Sequence, residues 1–559
     1  MSGHSTPAPA GGPSGSDPYG APGDQGRQQP GPAAPGRPGP GAAQGPNPYR
    51  APGQPGPQPF AWLRPSDPGP KAPATPRTLA AALVTGLLVS WLLNRGLGVN
   101  LLICGAAAAV GAGLAARSAG RRVRGWTVLW SVLALALLTV PALSDAGWPT
   151  MLSTLCALGL ASLALHGGRR WAGVLLALPG ILWQFVPGLR WAGAALRVLG
   201  PPGRGRVAPV LKAVVVAGVL LAVFGSLFAS ADAAMADVLE GLIPSLDLGE
   251  FPLRAVLFVL GTVVALGFAH IAAGPRRWDR TVIRPGRERG RLEWALPLVA
   301  LNLMFGAFAV VQAVVVLGGR DAIIRNTGMS RSEYARQGFW QLTAVTVLTL
   351  VVVGVAKRWA PRGTEGDRRL ARVLLGVLCL LTLVVVASAL GRMWFYVDAS
   401  GLTRLRLWVL VVEVWLGVVF LLVITAGLVR SAGWLPRAVV LSGMLTAAVY
   451  GLMGPDAIVA EQNVARYERT HQIDLRNVRD LSLDAVPALD RLPKDYRTCA
   501  LELMRIDAAG EPKPWYAASL AGSRARSIFA ERPLVDAVSS EGNACDRAGL
   551  WKGGSIERP

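Results

Sequence analysis

Histidine is nearly absent: four occur in 559 residues. Metal- or histidine-based catalysis therefore has few candidates, and structural or solvated roles account for His4, His166, His270 and His471. The five cysteines include no CxxC pair and no Cys/His cluster with zinc spacing. Also missing are a P-loop, a kinase signature, an HExxH helix and a GxSxG turn. Charged residues make up only 16% of the chain. No well-specified catalytic motif is left, and no cofactor is implied.

What remains is apolar. Hydrophobic residues form 52% of the sequence and the mean hydropathy is +0.40. Apolar runs recur at about 79–93, 99–117, 125–143, 149–167, 171–187, 210–230, 252–273, 293–318, 337–357, 370–390, 403–429 and 433–453. Most approach or exceed the ~18 residues that span hydrocarbon. Because amides cannot stay unpaired in lipid and the runs do not alternate, they predict helices rather than a barrel. The expected fold is all-α: a polytopic transmembrane bundle of eleven or twelve spans over residues 79–454, flanked by tails at 1–78 and 455–559.

The net charge of +22 first suggests a nucleic-acid binder. Its distribution argues against that. Residues 1–78 carry +3 and residues 455–559 carry −1, which leaves +20 in the short connections between apolar runs. Basic connections of this kind mark cytoplasmic loops beside anionic headgroups, not a nucleic-acid face. Arg117–Arg124, Arg276–Arg291 and Lys357–Arg372 are placed inside on this basis, and the acidic stretch Ala231–Glu250 outside. Arg169–Arg170 and Arg190–Arg206 both read as cytoplasmic although one short apolar segment, broken at Pro179–Gly180, separates them. That region reads as re-entrant or interfacial. Eleven spans then put the N-terminus in the cytoplasm and the C-terminal tail outside.

Residues 1–78 hold 21 of the 42 prolines and 15 of the 66 glycines. Such a segment buries too little apolar surface to order itself and is expected to be disordered. No secretory signal opens the chain. The C-terminal tail shows helical periodicity over Asp456–His471, Ser482–Leu492 and Thr498–Ile506, which describes a small helical domain or a cap on the bundle. An external tail would hold Cys499 and Cys545 in an oxidising space, where they form a disulfide; the alternative is two unrelated thiols.

Three polar clusters carry the functional candidates. In the connection Arg320–Arg336, Ser330 and Glu333 have capping-box spacing, while Tyr334 and Arg336 suit an interface. The excess of arginine there, Arg325 included, suggests pairing with acids or with an anionic group. The second cluster joins Trp394, Phe395, Tyr396 and Asp398 to Arg404 and Arg406; interfacial anchoring is its plainer role. The third lies in the membrane. Glu413 follows Arg406 by seven residues, about 10 Å along a helix, too far for a tight pair. Asn302, Gln312 and Gln341 are candidates to share its polar interior. Glu413 is either a protonated carboxyl bonded to a neighbouring helix or a coupling site for a proton or ion, since intramembrane carboxylates are functional suspects.

The strings GMSRSEYARQGFWQLTAVTVL (328–348), FYVDASGLTRLRL (395–407) and NVARYERTHQIDLRNVRDLSLDAVPAL (463–489) resemble a bacterial family of multi-pass membrane proteins, the domain of unknown function 4153/4173 group. Composition suits an actinobacterial member. The resemblance implies an integral plasma-membrane protein without an established activity and carries no catalytic residue with it. Three functional expectations follow: a transporter-like or coupled component with a polar path at Glu413; a non-enzymatic sensor or scaffold holding an envelope or membrane protein partner through its tail; and, least supported, an enzyme using Glu333 or Asp398. Beyond the lipid bilayer no partner is specified, and the oligomeric state stays open.

Overall fold

A chain of apolar runs without alternation has one way to satisfy its amides in hydrocarbon, and it takes it. The computed structural model describes residues 72–199, 217, 251–275, 278–280, 290–317, 339–359, 364–534, 538–539 and 542–548, all within one compact unit. The helices run α1 (Pro76–Leu92), α2 (Val99–Ser118), α3 (Gly125–Leu137), α4 (Val140–Leu143), α5 (Gly147–His166), α6 (Trp171–Leu182) and α7 (Phe185–Leu199). They continue as α8 (Phe251–Ala273), α9 (Arg291–Leu317), α10 (Phe339–Trp359), α11 (Glu365–Ser400), α12 (Arg404–Leu428) and α13 (Leu435–Leu452). The tail adds α14 (Pro455–Thr470), α15 (Leu475–Arg479), α16 (Val486–Leu489), α17 (Lys494–Ala509), α18 (Leu520–Glu531) and α19 (Ala544–Arg547). Its one sheet among the described residues is a two-residue antiparallel pairing of Val538–Ser539 with Gly542–Asn543.

Among the described residues nine helical segments are long and apolar enough to cross a membrane. Helix α1 is apolar but 17 residues long, and the stretch from α6 through α7 is bent by 49° inside α6, between Ala177 and Pro179. Apart from residue 217, the run expected at 210–230 lies outside the described residues, as do Ala231–Glu250 and most of the N-terminal tail. Helix α11 exceeds its expected bounds. Its 36 residues span about 54 Å, so it projects beyond the hydrocarbon, and the Trp394–Asp398 belt forms its last turns.

The two ends of the bundle differ in chemistry. One end gathers the basic connections: Arg121 donates to Ala272 O (2.5 Å), Arg437 to Gly168 O (3.0 Å), and Arg291 pairs with Asp367 (3.3 Å). The tail packs on the other end, where the α1–α2, α4–α5 and α11–α12 turns lie. The partners of α6 and α7 stay near the basic end: Ser162 at the close of α5 donates to Ala177 O (2.6 Å), and Trp191 donates to Ala72 O (2.9 Å). Gly188 meets Gly267 closely enough that a Cβ there would press on backbone. These contacts hold α6 and α7 against neighbours near the basic end.

Hydrophobic cores form separately in the bundle and at the tail end. The tail core includes Val459, Val478, Leu489, Leu501 and Met504, and it also takes in Leu402 from the α11–α12 turn. Val397 and Leu407, from the facing ends of α11 and α12, pack against it. The tail therefore closes its core on the bundle rather than around itself.

Candidate functional site

The GLTRLR string makes the turn between α11 and α12. Helix α11 ends at Gly401, whose φ of +80° suits glycine because it lacks a Cβ. A Cβ there would also run into Asn463 Oδ1. Helix α12 begins at Thr403, whose hydroxyl accepts from Arg406 N–H (3.3 Å) as an N-cap. Both local rules are thus met by the sequence of the turn itself.

Everything around this turn comes from the tail. Arg404 grips Asp456 with two hydrogen bonds, Nε to Oδ1 at 2.7 Å and Nη2 to Oδ2 at 2.5 Å, and Asp456 is 2% exposed. Ser482 N–H supplies a third bond to the same carboxylate (2.8 Å). Burial opposes the charge on Asp456, yet Arg404 and the Ser482 amide outweigh it and hold the carboxyl below its usual range. Asn463 donates to Leu402 O (2.7 Å). Arg466 donates to Asp398 O (3.2 Å) and Ala399 O (2.7 Å), carbonyls that the end of α11 leaves without helical partners. Arg406 turns back to Ser400 O (3.2 Å) and Gly401 O, with its guanidinium 3.8 Å from the Tyr396 ring centroid.

The α4–α5 turn joins the same assembly. Asp145 N–H donates to Asp484 (2.8 Å), Ser482 Oγ donates to the same oxygen (2.8 Å), and Ser519 donates to Asp145 Oδ1 (3.2 Å). Burial pushes the Asp484 carboxyl up, against the pull of these donors. Asn100 N–H donates to Tyr516 O (3.0 Å), and Arg95 meets Glu511 (3.4 Å). Cys499 and Cys545 are joined in a disulfide, Cα to Cα 4.8 Å, which ties α17 to α19.

Glu413 stands apart from all of this. It is fully buried, and Thr346 of α10 donates to its Oε1 (3.3 Å). The same hydroxyl lies 3.0 Å from Leu342 O, so its single proton is shared between two acceptors. Thr343 faces the carboxyl without the alignment of a hydrogen bond, and Oε2 has no partner among the described residues. No basic side chain pairs with Glu413 there. A neutral carboxyl tolerates so donor-poor a setting far better than a carboxylate does. Asn302 holds Leu298 O (2.7 Å) and Leu374 O (3.1 Å), pinning α9 to α11. Gln312 is half-buried and Gln341 exposed. The structure does not gather these amides around Glu413, and it turns Arg404 and Arg406 toward the tail end.

Arg325, Glu333, Tyr334 and Arg336 lie outside the described residues. Sequence reasoning missed Asp145, Asp456, Asn463, Arg466, Ser482 and Asp484. Three of these (Asn463, Arg466 and Ser482) and Asp484 fall inside the third family-like string, so the signal was available as short polar residues beside helix ends. Among the described residues no group of three His, Cys, Asp or Glu side chains is placed to hold a metal.

Fold and composition together define a multi-pass helical membrane protein with a folded C-terminal tail seated on one end of its bundle. The family model described as Domain of unknown function (DUF4153) matches residues 132–492. The chain belongs to that family. The matched stretch runs from the second half of α3 through α16, which includes the whole Arg404–Asp456 joint and stops before the disulfide. No curated protein and no solved structure matches the chain.

Proposed function

We propose that the protein is a plasma-membrane scaffold or sensor whose extracytoplasmic tail acts as a fixed cap coupled to the bundle. The carrying observation is the Arg404–Asp456 joint, reinforced by Asn463 and Arg466 on the same turn. Those bonds leave little freedom between tail and bundle, so a partner that loads the tail also loads the ends of α11 and α12. Two features support an outside tail: the capped end is opposite the basic connections, and its cysteines are paired, as suits an oxidising space. The test is complementation of a deletion strain's envelope phenotype. A chain lacking residues 455–559 that still inserts should fail, whereas Glu413→Gln should succeed. Full complementation by the truncated chain would sink the reading.

A coupled carrier is the second reading, and Glu413 Oε2, without a partner among the described residues, favours it. Buried carboxyls in transporters exchange protons with a path. Under that reading Glu413→Gln abolishes solute-dependent proton flux in proteoliposomes; unchanged flux removes it.

A further inference from the structure

The tail end absorbs the acids near it, but the basic end does not balance its charge. Arg437, in the first turn of α13, lays its guanidinium 4.7 Å from the Trp126 ring centroid and spends Nε on Gly168 O (3.0 Å). Among the described residues its terminal donors have no hydrogen-bond acceptor. Trp126 follows Arg124, the N-cap of α3, by two residues, and Gly168 is next to Arg169. Arg437 thereby touches both connections, the one that carries Arg124 and the one that carries Arg169. Asp279 accepts from the Arg169 amide (2.9 and 3.1 Å) and the Arg170 amide (2.9 Å). Among the described residues no ion pair engages Arg124, Arg169 or Arg437. Three cations thus come from three connections that Arg437 joins through Trp126 and Gly168.

We propose that Arg124, Arg169 and Arg437, arranged around Trp126, bind the phosphate headgroup of an anionic phospholipid. Guanidinium forks match phosphate oxygens two at a time, and basic pockets between membrane helices are suited to such headgroups. The apolar surroundings distinguish a lipid from free phosphate. Trp126 is 39% exposed and Trp171 44%, as rings at a headgroup boundary are. Leu129 and Leu175, one turn further along α3 and α6, are exposed as well and offer surface to acyl chains. The inference does not depend on the tail or on Glu413.

The test uses the full chain in detergent, with native mass spectrometry and a thermal shift as readouts. Phosphatidylglycerol, phosphatidylcholine and inorganic phosphate are titrated in parallel. Phosphatidylglycerol should be retained at least tenfold better than either of the others and should raise the melting temperature. The Arg124→Gln/Arg169→Gln variant, with both positions exposed, should lose at least tenfold in retention, at about fivefold per arginine. Adding Arg437→Gln should lower it further. Arg117→Gln/Arg430→Gln, exposed at the same end but outside the cluster, should bind as wild type does. Equal retention of phosphatidylglycerol and phosphatidylcholine would overturn the proposal. So would equal losses in the two double variants, or phosphate bound as tightly as the lipid.

Discussion

Arg404 and Glu413 lie on one helix, nine residues apart, in opposite circumstances. Arg404 meets a buried carboxylate with two bonds, and that carboxylate takes a third from Ser482. Glu413 is more deeply buried and has one shared hydroxyl. The contrast shows where this protein invests its polar groups. At the mouth of α12 they hold two parts of the molecule together, and nearly every donor and acceptor is used. In the middle one carboxyl is buried beside Thr343 and Thr346, and its Oε2 has no partner among the described residues. A saturated joint is what a mechanical connection needs; an unsaturated buried group is what a binding or exchange site keeps in reserve.

Perturbing the joint should therefore cost more than perturbing the middle. The largest effect is expected from Cys499→Ser/Cys545→Ser. Opening a loop with a sequence separation of 46 should cost the tail about 2–4 kcal/mol, read as a lower denaturant midpoint for tail proteolysis with the bundle still inserted. Arg404→Ala comes next. Breaking a fully buried pair costs about 3–5 kcal/mol; with the Arg404 side chain 43% exposed, solvent reduces this to about 2–3 kcal/mol. The melting temperature of the purified chain reports it, and a loss no larger than that of Arg491→Ala, which breaks the exposed Arg491–Glu461 pair (2.8 Å), would contradict the joint.

The same carboxylate gives a pH signature. Asp456 is held below its usual value of 3.8, so its contribution is complete above that value and is lost as pH falls through the lower folded one. Acid titration of wild type should show this limb, and Asp456→Asn should lack it. Asn463→Ala, which strips Leu402 O of its donor, should cost about 1–2 kcal/mol. Smallest of all is Glu413→Gln: an amide of the same shape, in a site with no basic partner among the described residues, should move stability by less than about 1 kcal/mol. A large loss there would mean that Glu413 carries charge and has a cation partner, and the contrast with Arg404 would collapse.

The helical class, the positions of most spans and the family could be read from apolar run length and three short strings. The Pro179–Gly180 signal is answered by a bend rather than a break: α6 runs on through Pro179 to Leu182, because a proline inside a helix removes one backbone hydrogen bond and kinks it. The candidate pair Cys499–Cys545 was legible because no other cysteine lies in the tail. Arg404 and Arg406 were visible as polar residues at a span's mouth, but what they serve was not. Arg404 meets a partner 52 residues away, across α12 and α13, and nothing in local periodicity points from one to the other.

The sequence by itself determined that this chain lies in a membrane as helices, because apolar run length and unpaired amides leave no other solution. It determined the caps at Gly401 and Thr403 through purely local backbone chemistry. Only tertiary structure decided that the tail shares its core with Leu402, that Asp456 neutralises Arg404, and that Glu413 is sealed among neighbouring helices. Those outcomes depend on which helix ends arrive side by side, and that is set by packing summed over the whole bundle.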